Sequence, residues 1–371
     1  MERIHRTIEL THSTSPTSLA FFRVLLASYA LLFVLPIGTS LPELSASLFH
    51  PPPGLPRLFG GFPSSAAVIV GNVIAASFAF MLLIGYRARA TAVGLTLSLL
   101  TLNAWQFSAG KIDHGILFVM APMMFAWSGW HRTWSVGKPA TPADASQPTL
   151  LDGHAGNRCA FLFAMMIGLS MGTAAIAKIY GGWFDVGTSS TLGYAILVNW
   201  YDQRPGLLFE TARQTMAPWM WEAMDWTAVA FELAAMVAFL RRSWWRWWLV
   251  VAVLFHTGVW VKFSIVFAAN LLAYAAFVRW DSFWPLASRD DAGDDASRTP
   301  AWVWAWAIAI AVVATTHALV AQTSLMRSLP QEARGLIFCV PALAIAAGWA
   351  LRQLLGLFPR RHTPATTTSA G

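Results

Sequence analysis

Ten times along this chain, an apolar stretch runs long enough to cross the roughly 30 Å hydrocarbon core of a bilayer. The stretches lie near 18–37, 65–86, 90–108, 112–130, 158–180, 219–240, 243–262, 264–280, 300–322 and 335–357. In lipid, a segment must satisfy its own backbone polar groups, and runs of this length do so as helices. With 56% hydrophobic and only 12% charged residues, the chain has too little polar surface to cover a water-soluble globule. The expected fold is therefore all-α, a polytopic membrane helix bundle of about ten transmembrane helices.

The formal charge of +7 does not form a nucleic-acid patch, because Lys and Arg are scattered at the ends of the apolar runs. They read as topology signals. With the N-terminus inside, about twice as many basic residues fall on the cytoplasmic side as outside, which predicts both termini in the cytoplasm. That puts Lys178 and the 181–218 connection on the outer face. The 20 tryptophans, clustered as in Trp244 to Trp248 and Trp302 to Trp306, fit interfacial belts. Cys159 and Cys339 have no metal-binding spacing and fall near opposite faces, so no disulfide is expected. The first run carries Arg23 and no small-residue cleavage site, and reads as a retained helix.

Residues 38–64 hold the rigid Pro51-Pro-Pro-Gly-Leu-Pro56 turn, 133–157 and 286–299 are polar connectors, and 359–371 reads as a disordered tail. No internal repeat, phosphate-cradling loop, zinc motif or nucleophile elbow is present in the sequence.

Ionisable residues inside membrane helices cost a few kcal/mol when unpaired, so each needs a partner, a cavity or water. Lys178 closes an uncharged apolar run and precedes Ile179-Tyr-Gly-Gly-Trp-Phe-Asp-Val-Gly187. Desolvation there favours the neutral amine, a proton acceptor. A lysine snorkelling to the headgroups fits its position equally well. His114, His256 and His317 share the outer half of the bundle with it, and each is equally compatible with a neutral imidazole bonded to a neighbouring helix. Glu232 and Arg23 sit at similar depth nearer the cytoplasm, and a buried Arg23–Glu232 ion pair is the economical arrangement. The histidine spacings fit no local metal-ligand pattern, and no metal is expected.

The order of these pieces resembles the horizontally transferred transmembrane (HTTM) domain family, related to the vitamin K-dependent gamma-carboxylase. The signals are Phe22-Arg23, Leu48-Phe-His50 with Pro53-Gly-Leu-Pro56, Gly85-Tyr-Arg87, Asp113-His114-Gly115, Lys178 followed by Trp183 and Gly187, Glu232, and Phe255-His256 followed by Phe263-Ser-Ile265 and Phe267. The resemblance implies an HTTM-like membrane domain over 1–285, followed by two additional helices over 286–358.

It also implies an epoxidase- or carboxylase-like, lyase-type membrane enzyme acting on a reduced quinone of the vitamin K type with dioxygen and carbon dioxide. Lys178 would be the base and His114 the hydrogen-bond partner of the developing anion. His256 and Phe267 would line the quinone pocket, with Asp113 and Trp183 beside it. The carboxylase's large lumenal β domain has no counterpart here, and Asp113 replaces an amide, adding negative charge that would raise the lysine pKa. The alternative implied by other relatives is an auxiliary protein of peptide maturation, with a small peptide as partner. The compact loops fit a bacterial cytoplasmic membrane. Expected partners are the lipid bilayer and a lipophilic small molecule, with no nucleic acid.

Overall fold

The computed structural model describes residues 12, 14–109, 115–136, 155–187, 189–202, 207–282, 301–321 and 324–355. Among them there are helices and no strands. Much of the two polar connectors, the tail 359–371, and the candidate residues Asp113 and His114 lie outside the described set.

The first helix, α1 (Pro16–Tyr29), continues through a π turn at Ala30–Val34. It begins where Ser15 accepts the Ser18 amide and Pro16 supplies a preset φ at the first position. Next come α2 (Ser65–Leu83) and α3 (Ala88–Phe107), a hairpin, then the short α4 (Gly115–Phe125) and the long α5 (Ala155–Tyr180). Two further short helices, α6 (Ser190–Asp202) and α7 (Phe209–Thr215), lead into α8 (Pro218–Ala238) and α9 (Arg242–Phe263). The chain then forms α10 (Ala268–Ala275), α11 (Ala301–Ala321), α12 (Leu325–Ser328) and α13 (Gln331–Leu354).

Five helices are long and apolar enough to cross a membrane: Pro16–Val34, Ser65–Leu83, Ala155–Tyr180, Ala301–Ala318 and Glu332–Leu354. Their outer faces carry exposed apolar side chains, among them Ile69, Val73, Ile308, Val312, Leu336 and Val340, which water would penalise and lipid accepts. The chain is a helical membrane protein.

The expected helix over 264–280 is not continuous. Ser264 takes a left-handed conformation at φ 54°, residues 264–267 are non-helical, and α10 has only eight residues, about 12 Å. The sequence Phe263-Ser-Ile-Val-Phe267 gives the physical reason, since β-branched and aromatic residues lose rotamer freedom in a helix and a serine can break it. The α4 helix also stops early, with Pro122 inside it and turns over 126–134.

One main core joins α1 to α5 with α8 to α11 and α13. The two last long helices share that core, with Trp306 Nε1 donating to Ser28 Oγ at 3.1 Å and Phe338 meeting Tyr29 and Phe33 edge-on. A smaller cluster of Ala195, Phe209, Ala212, Trp221 and Phe263 ties α6 and α7 to the first half of α8 and the end of α9.

Candidate functional site

The helix α5 reaches its site by close packing on α8. A Cβ at Gly168 would lie 2.8 Å from the Ala235 carbonyl oxygen, and one at Gly172 would lie 2.4 Å from Met236 Sδ. Missing side chains on α5 thus let the two backbones approach, the small-residue packing that membrane helices favour.

Lys178 stands two residues before the end of α5, and that end is a Schellman motif. Gly182 takes φ 79°, the Gly182 amide bonds the Ile179 carbonyl, and the Trp183 amide returns to the Lys178 carbonyl at 3.1 Å. The motif brings the residue after the glycine over the third residue from the helix end. Here that stacks the Trp183 ring over Lys178, with the ammonium 5.3 Å from the ring centroid.

Lys178 Nζ donates to Glu232 Oε1 at 2.6 Å and to Oε2 at 2.7 Å. The carboxylate side chain is 6% exposed and the lysine side chain 22%. A helical Cβ tilts towards the N-terminus, which sends the lysine back along the bundle to Glu232.

This overturns the expected Arg23–Glu232 pair. Arg23 is fully buried, but Nη1 donates to the Trp130 carbonyl and Ser135 Oγ at 2.8 Å, and Nη2 to the Trp134 carbonyl. The turns after α4 provide these acceptors, which the sequence alone does not place beside α1. Gly85 completes the clasp: at φ 75° it has the left-handed conformation, and a Cβ there would lie 2.7 Å from Arg23 Nη1.

Beyond the lysine, the start of α6 is held against α8. Buried Asp225 accepts the Ser190 amide at 2.8 Å, the Thr191 amide at 2.7 Å, and the Thr191 hydroxyl. Asp225 precedes Glu232 by seven residues, about 10 Å along α8. The ion pair therefore lies in the body of the bundle, with α6 continuing beyond it.

His256 on α9 is buried, and its Nε2 lies 2.9 Å from the Tyr274 hydroxyl. The Phe267 ring leans on it with centroids 4.8 Å apart, and Phe231, the neighbour of Glu232, meets it edge-on at 6.5 Å. The structure thus brings His256 and Phe267 together and pairs Lys178 with Glu232 and Trp183. His317 instead meets Ser328 at 3.3 Å. No group of three metal-ligating side chains gathers among the described residues.

Sequence reasoning missed Asn270 and Tyr274. Both are buried, and their i, i+4 spacing in Ala268-Ala-Asn-Leu-Leu-Ala-Tyr274 puts them on one face of α10. Two polar groups four apart in an apolar segment were the available signal. Comparison with protein-family models, curated proteins and solved structures finds no match.

Proposed function

We propose that this chain is a multi-pass protein of the cytoplasmic membrane, related to the HTTM domain family, whose Lys178–Glu232 pair performs acid–base chemistry on a reduced quinone. The observation that carries the reading is the ion pair itself: an amine bound by both oxygens of a buried carboxylate, partly accessible beneath Trp183.

Such a pair has two tautomers. Proton transfer from Lys178 to Glu232 discharges both groups, and a low-dielectric interior favours that exchange more than water does. The amine so freed accepts a hydroxyl proton from the substrate, with Glu232 as the adjoining proton store. Trp183 offers an aromatic face at the amine, and His256 with Phe267 offers an aromatic and polar wall nearby. The residues fit a flat, lipid-soluble hydroquinone. With dioxygen the balanced outcome is quinone epoxide plus water. Carbon dioxide is a reactant only where a carbon acid accepts it.

The test is oxygen uptake by purified protein given a panel of reduced quinones, with Lys178→Met and Glu232→Gln of verified folding beside it. Uptake that yields epoxide and depends on Lys178 is expected. Absence of uptake from folded wild-type protein with every quinone defeats the enzymatic reading. A second reading then gains: two glycines seat α5 on α8 on the same helix pair that carries the ion pair, an arrangement that suits a helix lock in an auxiliary membrane protein of peptide maturation.

A further inference from the structure

Asn270 has an incomplete set of partners. It is 1% exposed, and its Oδ1 is buried without a hydrogen-bond partner among the described residues. Its amide nitrogen lies 3.5 Å from His256 Nε2, which in turn lies 2.9 Å from the Tyr274 hydroxyl. A buried acceptor left unmatched is costly, so a native structure that keeps one calls for a specific explanation.

The surroundings say what kind of donor fits. Asn270 lies in the first turn of α10, directly after the non-helical 264–267 segment. Irregular backbone at membrane depth is tolerated where protein or a cavity encloses it, and broken helices mark binding sites. The neighbouring side chains are flat: the Phe267 ring is tilted 38° to His256, and the Tyr274 ring is stacked 22° from it. Charge is absent from this cluster, which favours a neutral hydroxyl over an ammonium as the missing donor. Phe231, the neighbour of Glu232 in the chain, meets His256 edge-on at 6.5 Å, which relates the cluster to the ion pair.

We infer that Asn270, with Tyr274 fixing its amide through His256, is the acceptor for a hydroxyl of a hydroxylated aromatic ring. This rests on the reading that Lys178 acts on a reduced quinone, and it assigns a hydroxyl of that molecule to Asn270 Oδ1. Tyr274 acts through Asn270 and His256 and is a positioning residue. The oxidised quinone and an O-methylated hydroquinone have no proton to give, so the site discriminates by donor and not by ring shape.

Binding without turnover tests this. The full chain in detergent is titrated anaerobically with 2-methyl-1,4-naphthohydroquinone and with its dimethyl ether, following tryptophan fluorescence. The wild type is expected to bind the hydroquinone about tenfold more tightly than the ether, the worth of one buried hydrogen bond. Asn270→Leu is expected to narrow the difference markedly, leaving only what the hydroxyl at Lys178 contributes, while still binding the ether. Tyr274→Phe should narrow the preference without abolishing it, and serves where Asn270→Leu does not fold. Equal affinity for both compounds in the wild type overturns the assignment, as does an unchanged preference in folded Asn270→Leu. Asn270-dependent preference without oxygen uptake leaves this site standing and removes the redox reading. Lys178-dependent uptake with unchanged preference in Asn270→Leu does the reverse.

Discussion

Lys178 and Arg23 are both cations in an apolar bundle, and they are satisfied in opposite ways. Arg23 spreads its charge over two carbonyls and a hydroxyl, which suits the planar fork of a guanidinium. Lys178, a point charge, takes a carboxylate. Removing one member of a buried pair strands the other charge. Lys178→Met or Glu232→Leu alone should therefore lower stability by about 3 kcal/mol, with Lys178→Met/Glu232→Leu recovering most of it. Denaturation of the three variants in mixed micelles measures this, and additive losses would rule out coupling. The need for some partner was legible from the charges themselves. Which partner was not, because apolar length alone put Glu232 at the depth of Arg23 and Lys178 nearer the outer face, and only the packing of α5 on α8 brings Lys178 to it.

At the scale of elements, contact is governed by where side chains are missing. Gly168 faces a backbone carbonyl, which cannot yield, whereas Gly172 faces the end of a flexible methionine. Gly168→Ala is thus expected to cost about 2 kcal/mol, and Gly172→Ala clearly less, in thermal melts of the purified protein. The start of α6 depends on a neighbouring helix for its cap. Asp225→Ala strips acceptors from a part-buried amide, a buried amide and a hydroxyl, and should loosen 190–202 by about 2 kcal/mol. Limited proteolysis in the 181–218 region would then quicken while α1 stays protected. Helix positions were largely readable from apolar length alone. The break at 264–267 was not, because the segment is as apolar as its neighbours and only Ser264 marks the turn.

At the scale of the molecule, the hairpin end of α8 and α9 is pinned by His12, ahead of α1. Its Nε2 bonds the Phe239 carbonyl at 3.0 Å, and its ring lies against Phe161, Trp245 and Phe277. Burial lowers its pKa to about 4, with the Phe239 bond opposing and Arg242 and Arg246 adding to the fall. The folded protein therefore holds His12 neutral where the unfolded chain, near 6.5, would protonate it. Its contribution is complete above about pH 6.5 and is lost as pH falls through 4, amounting to about 3 kcal/mol. His12→Phe should flatten the pH dependence of the melting temperature in that window. At the other end of the chain, a Cβ at Gly335 would lie 1.7 Å from Trp260, so Gly335→Ala should lever α13 away from α9 and lower the melting temperature by several degrees. The sequence by itself determined that this chain is helical and membrane-bound, because apolar runs this long and continuous satisfy their backbone in lipid as helices. Only the tertiary structure decided that Lys178 belongs to Glu232, that Arg23 belongs to a loop, and that Asn270 and Tyr274 join His256. Those pairings depend on how far helices slide and rotate against one another, and that is set by glycine contacts and a helix break whose consequences appear only when distant segments meet.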